Sequence, residues 1–252
     1  MRGIRLEDRI FIAGQTGKGK TTFARWITER LQPIRTIVFD PKDELSYPGV
    51  EKARTPAELA QAMHQPLVHY VPSGFERDEL EEACQIVWET PGPYLWHVDE
   101  LSEVSNPSYV PQGLRLAVTQ GRSKRKMVMG LCQRSAETHP CFRSQAEHVI
   151  VFVPAPIALD LQELSRATGI EAGVLGEQLR TLHEQEGDFS HLWYVRPTGE
   201  LRRCAPLPPP EDGPPPPPAG EDTPQHPEGP GDTPAQVGTA AADEDELAES
   251  RP

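Results

Sequence analysis

Residues Gly14-Gln15-Thr16-Gly17-Lys18-Gly19-Lys20-Thr21 follow the spacing G-x-x-x-x-G-K-T. These residue types at this spacing serve one chemistry, the binding of a polyphosphate. Glycines let the backbone curl around an anion with its N–H groups pointing inward, and a helix starting at the end of the loop adds partial positive charge. Lys20 is placed to reach the β- and γ-phosphates and the Thr21 hydroxyl to ligate magnesium, with Thr22 carrying the loop into the helix. Magnesium on a nucleotide must also be held from the far side. Tyr94-Leu95-Trp96-His97-Val98-Asp99-Glu100 supplies the acids, an apolar run ending in two carboxylates. Asp99 is expected to hold the metal, directly or through water, and Glu100 to polarise an attacking water. The plainer reading of the same pair is an acidic helix cap after a strand. His97 is expected to pack beneath the site without binding metal.

A loop of this kind needs a strand before it and a helix after it. Residues 9–13 are apolar and β-prone, and Phe23, Trp26, Ile27 and Leu31 then recur near helical spacing. Further strands are expected at 35–40, 67–71, 94–98, 126–132 and 148–153. A hairpin is expected from 192–195 and 201–205. Helices are expected at 55–63, with Thr55 as N-cap and Pro56 in the first turn, at 76–89, at 114–120, and in stretches reaching residue 182. Strands that are apolar throughout, alternating with helices, imply an α/β fold with a mostly parallel sheet and helices on both faces.

Bases concentrate in one stretch: Arg115, Arg122, Lys124, Arg125, Lys126, Arg134 and Arg143. Three readings are open: an arginine finger for a neighbouring subunit's nucleotide, contacts to a nucleic-acid backbone, or an ordinary solvated surface. Gln133, at the end of a strand, is either a sensor of the γ-phosphate or a plain polar cap.

Composition divides the 252 residues in two. From Pro206 onward the chain holds 14 of its 28 prolines and 11 acids against the single base Arg251, so this tail carries −10 of the formal −13. Such a segment buries too little apolar surface to offset its ordering entropy. The expected organisation is one domain over 1–205 and a disordered acidic, proline-rich tail over 206–252. Cys84, Cys132, Cys141 and Cys204 are scattered without metal-ligand spacing, as expected of reduced packing residues. No signal peptide or membrane-length apolar run is evident, so a protein that is soluble and intracellular, or that sits inside a particle assembled there, is expected.

Four segments together resemble the FtsK–HerA superfamily of P-loop motor ATPases. They are the phosphate loop, Val38-Phe39-Asp40-Pro41-Lys42, His97-Val98-Asp99-Glu100, and Gly121-Arg122 with a downstream strand closing in Gln133-Arg134-Ser135. The resemblance covers about residues 6–155. It implies a RecA-like P-loop NTPase fold, ATP and Mg2+ as cofactors, and hydrolysis. Lys20, Thr21, Asp99 and Glu100 take the roles given above, Arg122 becomes the finger reaching across a subunit boundary, and Gln133 the γ-phosphate sensor. Lys124-Arg125-Lys126 departs from the family's pattern and leaves Arg125, and more weakly Arg115, as rival fingers. Members form homo-oligomeric rings, commonly hexamers, that thread double-stranded DNA.

With the phosphate loop starting at residue 14, the chain looks most like the genome-packaging ATPases of membrane-containing icosahedral double-stranded DNA viruses. A plasmid or cellular relative of other duty, a nucleotide-dependent switch and a P-loop kinase are the alternatives. The tail reads as a solubilising linker, as a dock for capsid or membrane-vertex proteins, or as a DNA mimic that occupies a basic channel.

Overall fold

Apolar runs that must be buried on both faces become the central strands of one sheet. The computed structural model describes residues 3–31, 34–74, 76–153, 158–187 and 189–207. Among them the strands are β1 (Arg9–Ala13), β2 (Arg35–Phe39), β3 (Lys52–Ala53), β4 (Leu67–Tyr70), β5 (Tyr94–Val98), β6 (Lys126–Cys132), β7 (His148–Val151), β8 (His191–Val195) and β9 (Glu200–Cys204). Their order is β3-β4-β2-β5-β6-β1-β7-β8-β9. All pairings from β3 to β7 are parallel, and β8 and β9 add antiparallel to the β7 edge. Every residue of β1, β5 and β6 is buried, as strands covered on both faces require.

Side chains alternate across the sheet, and the two faces are covered unequally. On one, Ile10, Ile12, Met127, Met129 and Ile150 pack under Phe23, Ala24 and Ile27 of α1 (Lys20–Arg30). On the other, Phe11, Ile37, Val98 and Val128 meet several helices. These include α2 (Pro56–Ala62), α3 (Arg77–Glu89), α5 (Gln112–Gln120), α6 (Pro140–Gln145), α7 (Ala158–Thr168) and α8 (Ala172–Glu186). A single turn, α4 (Leu101–Val104), follows β5. Thr55 caps α2 by accepting a bond from Glu58 N, with Pro56 in the first turn.

The differences from the sequence reading are local. β3 is two residues long and α6 six, too short to display a period. β7 ends at Val151, yet Phe152 N still donates to Ala13 O at 2.8 Å and Gln15 N to Val153 O at 2.9 Å. The chain therefore stays beside β1 up to the loop. Apart from Pro206 and Leu207, the tail expected to be disordered lies outside the described residues.

Candidate active site

The C-terminal ends of parallel strands face one side of a sheet, so the loops after β1, β2, β5 and β6 converge there. The loop after β1 begins at Gly14, whose N donates to Cys132 O at 3.2 Å. Gly14 has φ +157°, and a Cβ there would meet Phe152 Cβ at 2.6 Å, so glycine is required. α1 then starts at Lys20 behind Gly19. Lys20 is buried and its Nζ donates to Gln15 O at 3.0 Å. Burial pulls the Lys20 ammonium below the ordinary lysine range, against an opposing pull from Glu100 and Asp99. A partly dehydrated cation of this kind favours an anion beside it.

The acids stand opposite. Asp99 N donates to Phe39 O at 2.9 Å, which extends the pairing with β2 one residue past β5. Thr21 Oγ1 donates to Asp99 Oδ1 at 3.2 Å, so the hydroxyl and carboxylate expected to share a metal are adjacent. His97, two residues earlier on the same face, is fully buried with Nε2 3.4 Å from Asp99 Oδ1. Among the described residues no group of three His, Cys, Asp or Glu is gathered for a metal.

Glu100 is buried and aimed by three donors. Its Oε1 accepts from Ser102 Oγ at 2.8 Å and Gln133 N at 3.2 Å, and its Oε2 accepts from Lys42 Nζ at 3.2 Å. Gly130 makes room for this arrangement, since a Cβ there would meet Leu101 Cδ1 at 2.6 Å. Lys42 owes its position to Asp40, which accepts from Leu45 N at 2.8 Å and Glu44 N at 3.1 Å and lies 3.1 Å from His69 Nε2. Burial would raise the Asp40 pKa, but the contact with His69 and the two N–H groups outweigh it and hold the carboxyl below its ordinary value.

These groups line a cavity of about 240 Å³. Thr16, Gly17, Gly19, Lys20, Thr21, Thr22, Asp99, Glu100 and Gln133 all reach it, while Gly14, Gln15 and Lys18 build the loop outside its lining. Lys42, Glu44 and Phe189 line it too, although the sequence reading named none of them as site residues. Lys42 had a signal in the strand-terminal Asp40-Pro41-Lys42. Phe189 had none, because it sits in a connection between α8 and β8 without periodicity.

Arg122 is not brought to this cavity. It is exposed in the turn Gly121–Lys124 that precedes β6, whereas Gln133 follows β6. The strand separates the two by roughly 20 Å at about 3.3 Å per residue.

Two members of the basic stretch, Lys126 and Arg143, must be corrected as surface cations. Lys126 is buried and donates to Thr90 O at 2.9 Å and to Trp88 O, carbonyls at the end of α3. It therefore cannot also reach a nucleic-acid backbone. Arg143 is buried and donates to Thr138 O at 3.1 Å and Glu163 Oε2 at 2.8 Å. Arg134 stays partly exposed and pairs with Glu137 at 2.6 Å and Asp160 at 3.4 Å. Arg115, Arg122, Lys124 and Arg125 remain exposed.

No family model and no curated protein matches the chain. Solved structures do. The genome packaging NTPase B204 from Sulfolobus turreted icosahedral virus 2, in complex with AMPPCP, matches 81% of this chain and 100% of its own at TM-score 0.65 and 17% identity. The same protein with ATP-gammaS gives TM-score 0.65 at 18% identity, over 81% of this chain and 99% of its own. VirB4 of Thermoanaerobacter pseudethanolicus matches 80% of this chain and 90% of its own, at TM-score 0.57 and 11% identity. These neighbours belong to the FtsK–HerA-type group of P-loop ATPases. At such identities the likeness establishes a shared P-loop NTPase fold. Among the described residues no helix is long and apolar enough to cross a membrane.

Proposed function

We propose that the chain is an ATP-hydrolysing translocase of the FtsK–HerA type that packages double-stranded viral DNA into a preformed capsid. One observation carries the reading. A lysine of a phosphate loop, a threonine–carboxylate pair and a second, clamped carboxylate share one small cavity. The fold shared with nucleotide-complexed packaging NTPases supports it.

The loop N–H groups and Lys20 bind the phosphates. The hard oxygens of Thr21 and Asp99 fit magnesium, which keeps most of its waters and takes few protein ligands. These two residues would hold the ion, which supplies charge neutralisation on the phosphates. Glu100 orients a water toward the γ-phosphorus and accepts its proton as the bond to the ADP oxygen breaks. Lys42, Ser102 and the Gln133 backbone hold that carboxylate in place, and the Gln133 side chain senses the γ-phosphate.

Arg122 serves the nucleotide of a neighbouring copy in a homo-oligomeric ring, a hexamer by family resemblance. DNA passes through the ring, and the tail docks on capsid or membrane-vertex proteins. The protein works in the host cytoplasm or on the virion.

ATP turnover measured with and without duplex DNA, over a range of protein concentrations, tests the proposal. Turnover that is stimulated by DNA and climbs cooperatively with concentration is expected. Turnover indifferent to both rejects the ring motor, and stimulation by a small hydroxyl acceptor instead would identify a kinase.

A further inference from the structure

The mouth of the cavity is chemically divided. Toward β5 and β6 it presents Lys42, Asp99, Glu100 and Gln133; toward β8 it presents one side chain, Phe189. Phe189 is anomalous in two respects. It is half exposed, at 51%, where an aromatic ring gains most from burial. Its backbone also sits at φ +38°, a region disfavoured for a bulky L-residue and found where surrounding structure holds strain at functional sites. The ring lies against the phosphate loop, since a Cβ built on Gly19 would meet Phe189 Cδ1 at 3.0 Å.

Its neighbours are aromatic: Phe152 Cε1 lies 3.5 Å from the same Cβ built on Gly19, and His191 Nδ1 lies 3.4 Å from Phe189 O. Phe23, Phe152 and His191 form an aromatic layer, with ring centroids 4.7 Å apart for Phe23–His191 and 4.8 Å for Phe152–His191. Burial pushes His191 down to about 4, so the imidazole is neutral near pH 7. Charge is thus confined to one side of the cavity and an aromatic surface to the other.

A nucleoside triphosphate has the same division, with a charged tail at one end and a flat base at the other. We infer that Phe189 is the platform on which the nucleobase stacks, and that it orients the nucleotide with its γ-phosphate toward Glu100. This rests on the phosphate-loop reading above and adds the base to it. A π-face accepts any base and favours large ones, so purine triphosphates bind more tightly than pyrimidine ones, with little discrimination between adenine and guanine.

The test compares Mg-ATP with inorganic tripolyphosphate, which has the charge without the base, by calorimetry on the full chain. Phe189→Ala is expected to weaken Mg-ATP about tenfold or more and leave tripolyphosphate within twofold. Phe189→Trp is expected to restore ATP binding, with indole fluorescence that ATP quenches and tripolyphosphate does not. Equal weakening of both ligands in Phe189→Ala would show that the ring only props the loop, and no weakening of either would show that it does nothing here; both overturn the platform. The phosphate-loop reading fails differently: the unaltered chain would bind neither ligand, or Lys20→Ala would retain both, and the platform would fall with it.

Discussion

At its C-terminal end, β6 delivers Gln133 to a cavity shared with residues from four other connections, and the Gln133 N–H holds the Glu100 carboxylate. At its N-terminal end, the same strand is preceded by Arg122, Lys124 and Arg125 and begins with Lys126, four bases within five residues. Those four split by burial. Lys126 turns inward to cap α3 and lies over the Trp88 ring with Nζ 4.7 Å from its centroid, Lys124 covers the same ring from outside at 4.0 Å, and Arg122 and Arg125 face solvent beside one shared cavity. In a parallel sheet every strand ends on the same side, so groups far apart in sequence meet there without special arrangement. At the other end each strand is entered from a different helix or turn, and near neighbours differ in what they present: Lys126 is buried while Lys124 is exposed. Adjacency in sequence is therefore a poor guide to which charges solvent reaches, whereas position at a strand's C-terminal end is a good guide to a shared site.

That contrast breaks most completely if the N-terminal end of β6 completes a neighbour's site. As the proposed finger, Arg122→Ala should lower kcat of the assembled protein by about 10³- to 10⁵-fold while leaving ATP affinity unchanged. Single-turnover rates and equilibrium binding on the same preparation check this. Unchanged turnover would remove Arg122 and pass the test to Arg125 and then Arg115.

The C-terminal end is probed through Glu100. Glu100→Gln keeps the shape and the bonds from Ser102 and Gln133 but cannot accept a proton. The expected outcome is a fall in kcat of about 10²- to 10⁴-fold, with ATP retained. A rate near that of the unaltered chain would show that another group orients the water.

His191 extends the comparison to the aromatic side of the same end. With a folded pKa near 4 against an ordinary 6.5, the unfolded chain binds the extra proton between those values. Stability should therefore be full above pH 6.5 and fall as the pH drops toward 4, by as much as about 3 kcal/mol from this group. Urea midpoints followed from pH 7 to 4.5 should show a shallower decline for His191→Phe than for the unaltered chain. Parallel declines would mean that the carboxylates alone set acid stability.

At the opposite end, Lys126→Met preserves length but leaves the Trp88 and Thr90 carbonyls without their donor. A loss of about 1–3 kcal/mol in urea unfolding is expected. A midpoint unchanged or raised would show that the cost of burying the ammonium cancels the two bonds.

The same contrast explains what was legible in the residues alone. β1, β5 and β6 have the bounds expected of them, because a strand buried on both faces is a continuous apolar run with abrupt ends. The phosphate loop and Asp99-Glu100 were readable because each follows such a run directly, and strand ends converge. Lys42 was visible only as part of a family-like segment, since its partner Glu100 is 58 residues away. Lys126 was misleading because a lysine at the start of a strand is normally solvated, and only the carbonyls at the end of α3 make its burial tolerable. β3, α6 and Phe189 lie in stretches too short or irregular for any period to mark them.

The smallest effect separates the two lysines that the basic run places two residues apart. Lys124 is exposed, and its contact with Trp88 is worth at most about 1 kcal/mol. If this face meets the DNA backbone, Lys124→Ala should reduce the slope of log affinity against log salt by about 0.9, the release of one counterion, without regard to sequence. Its urea midpoint should barely move. Lys126→Met, assayed where it remains folded, should leave the salt slope alone, because a buried ammonium neutralises no phosphate. If instead Lys126→Met flattens the slope as much as Lys124→Ala does, then α3 releases Lys126 when DNA binds, and the N-terminal end of β6 gathers its charges only in the presence of its partner.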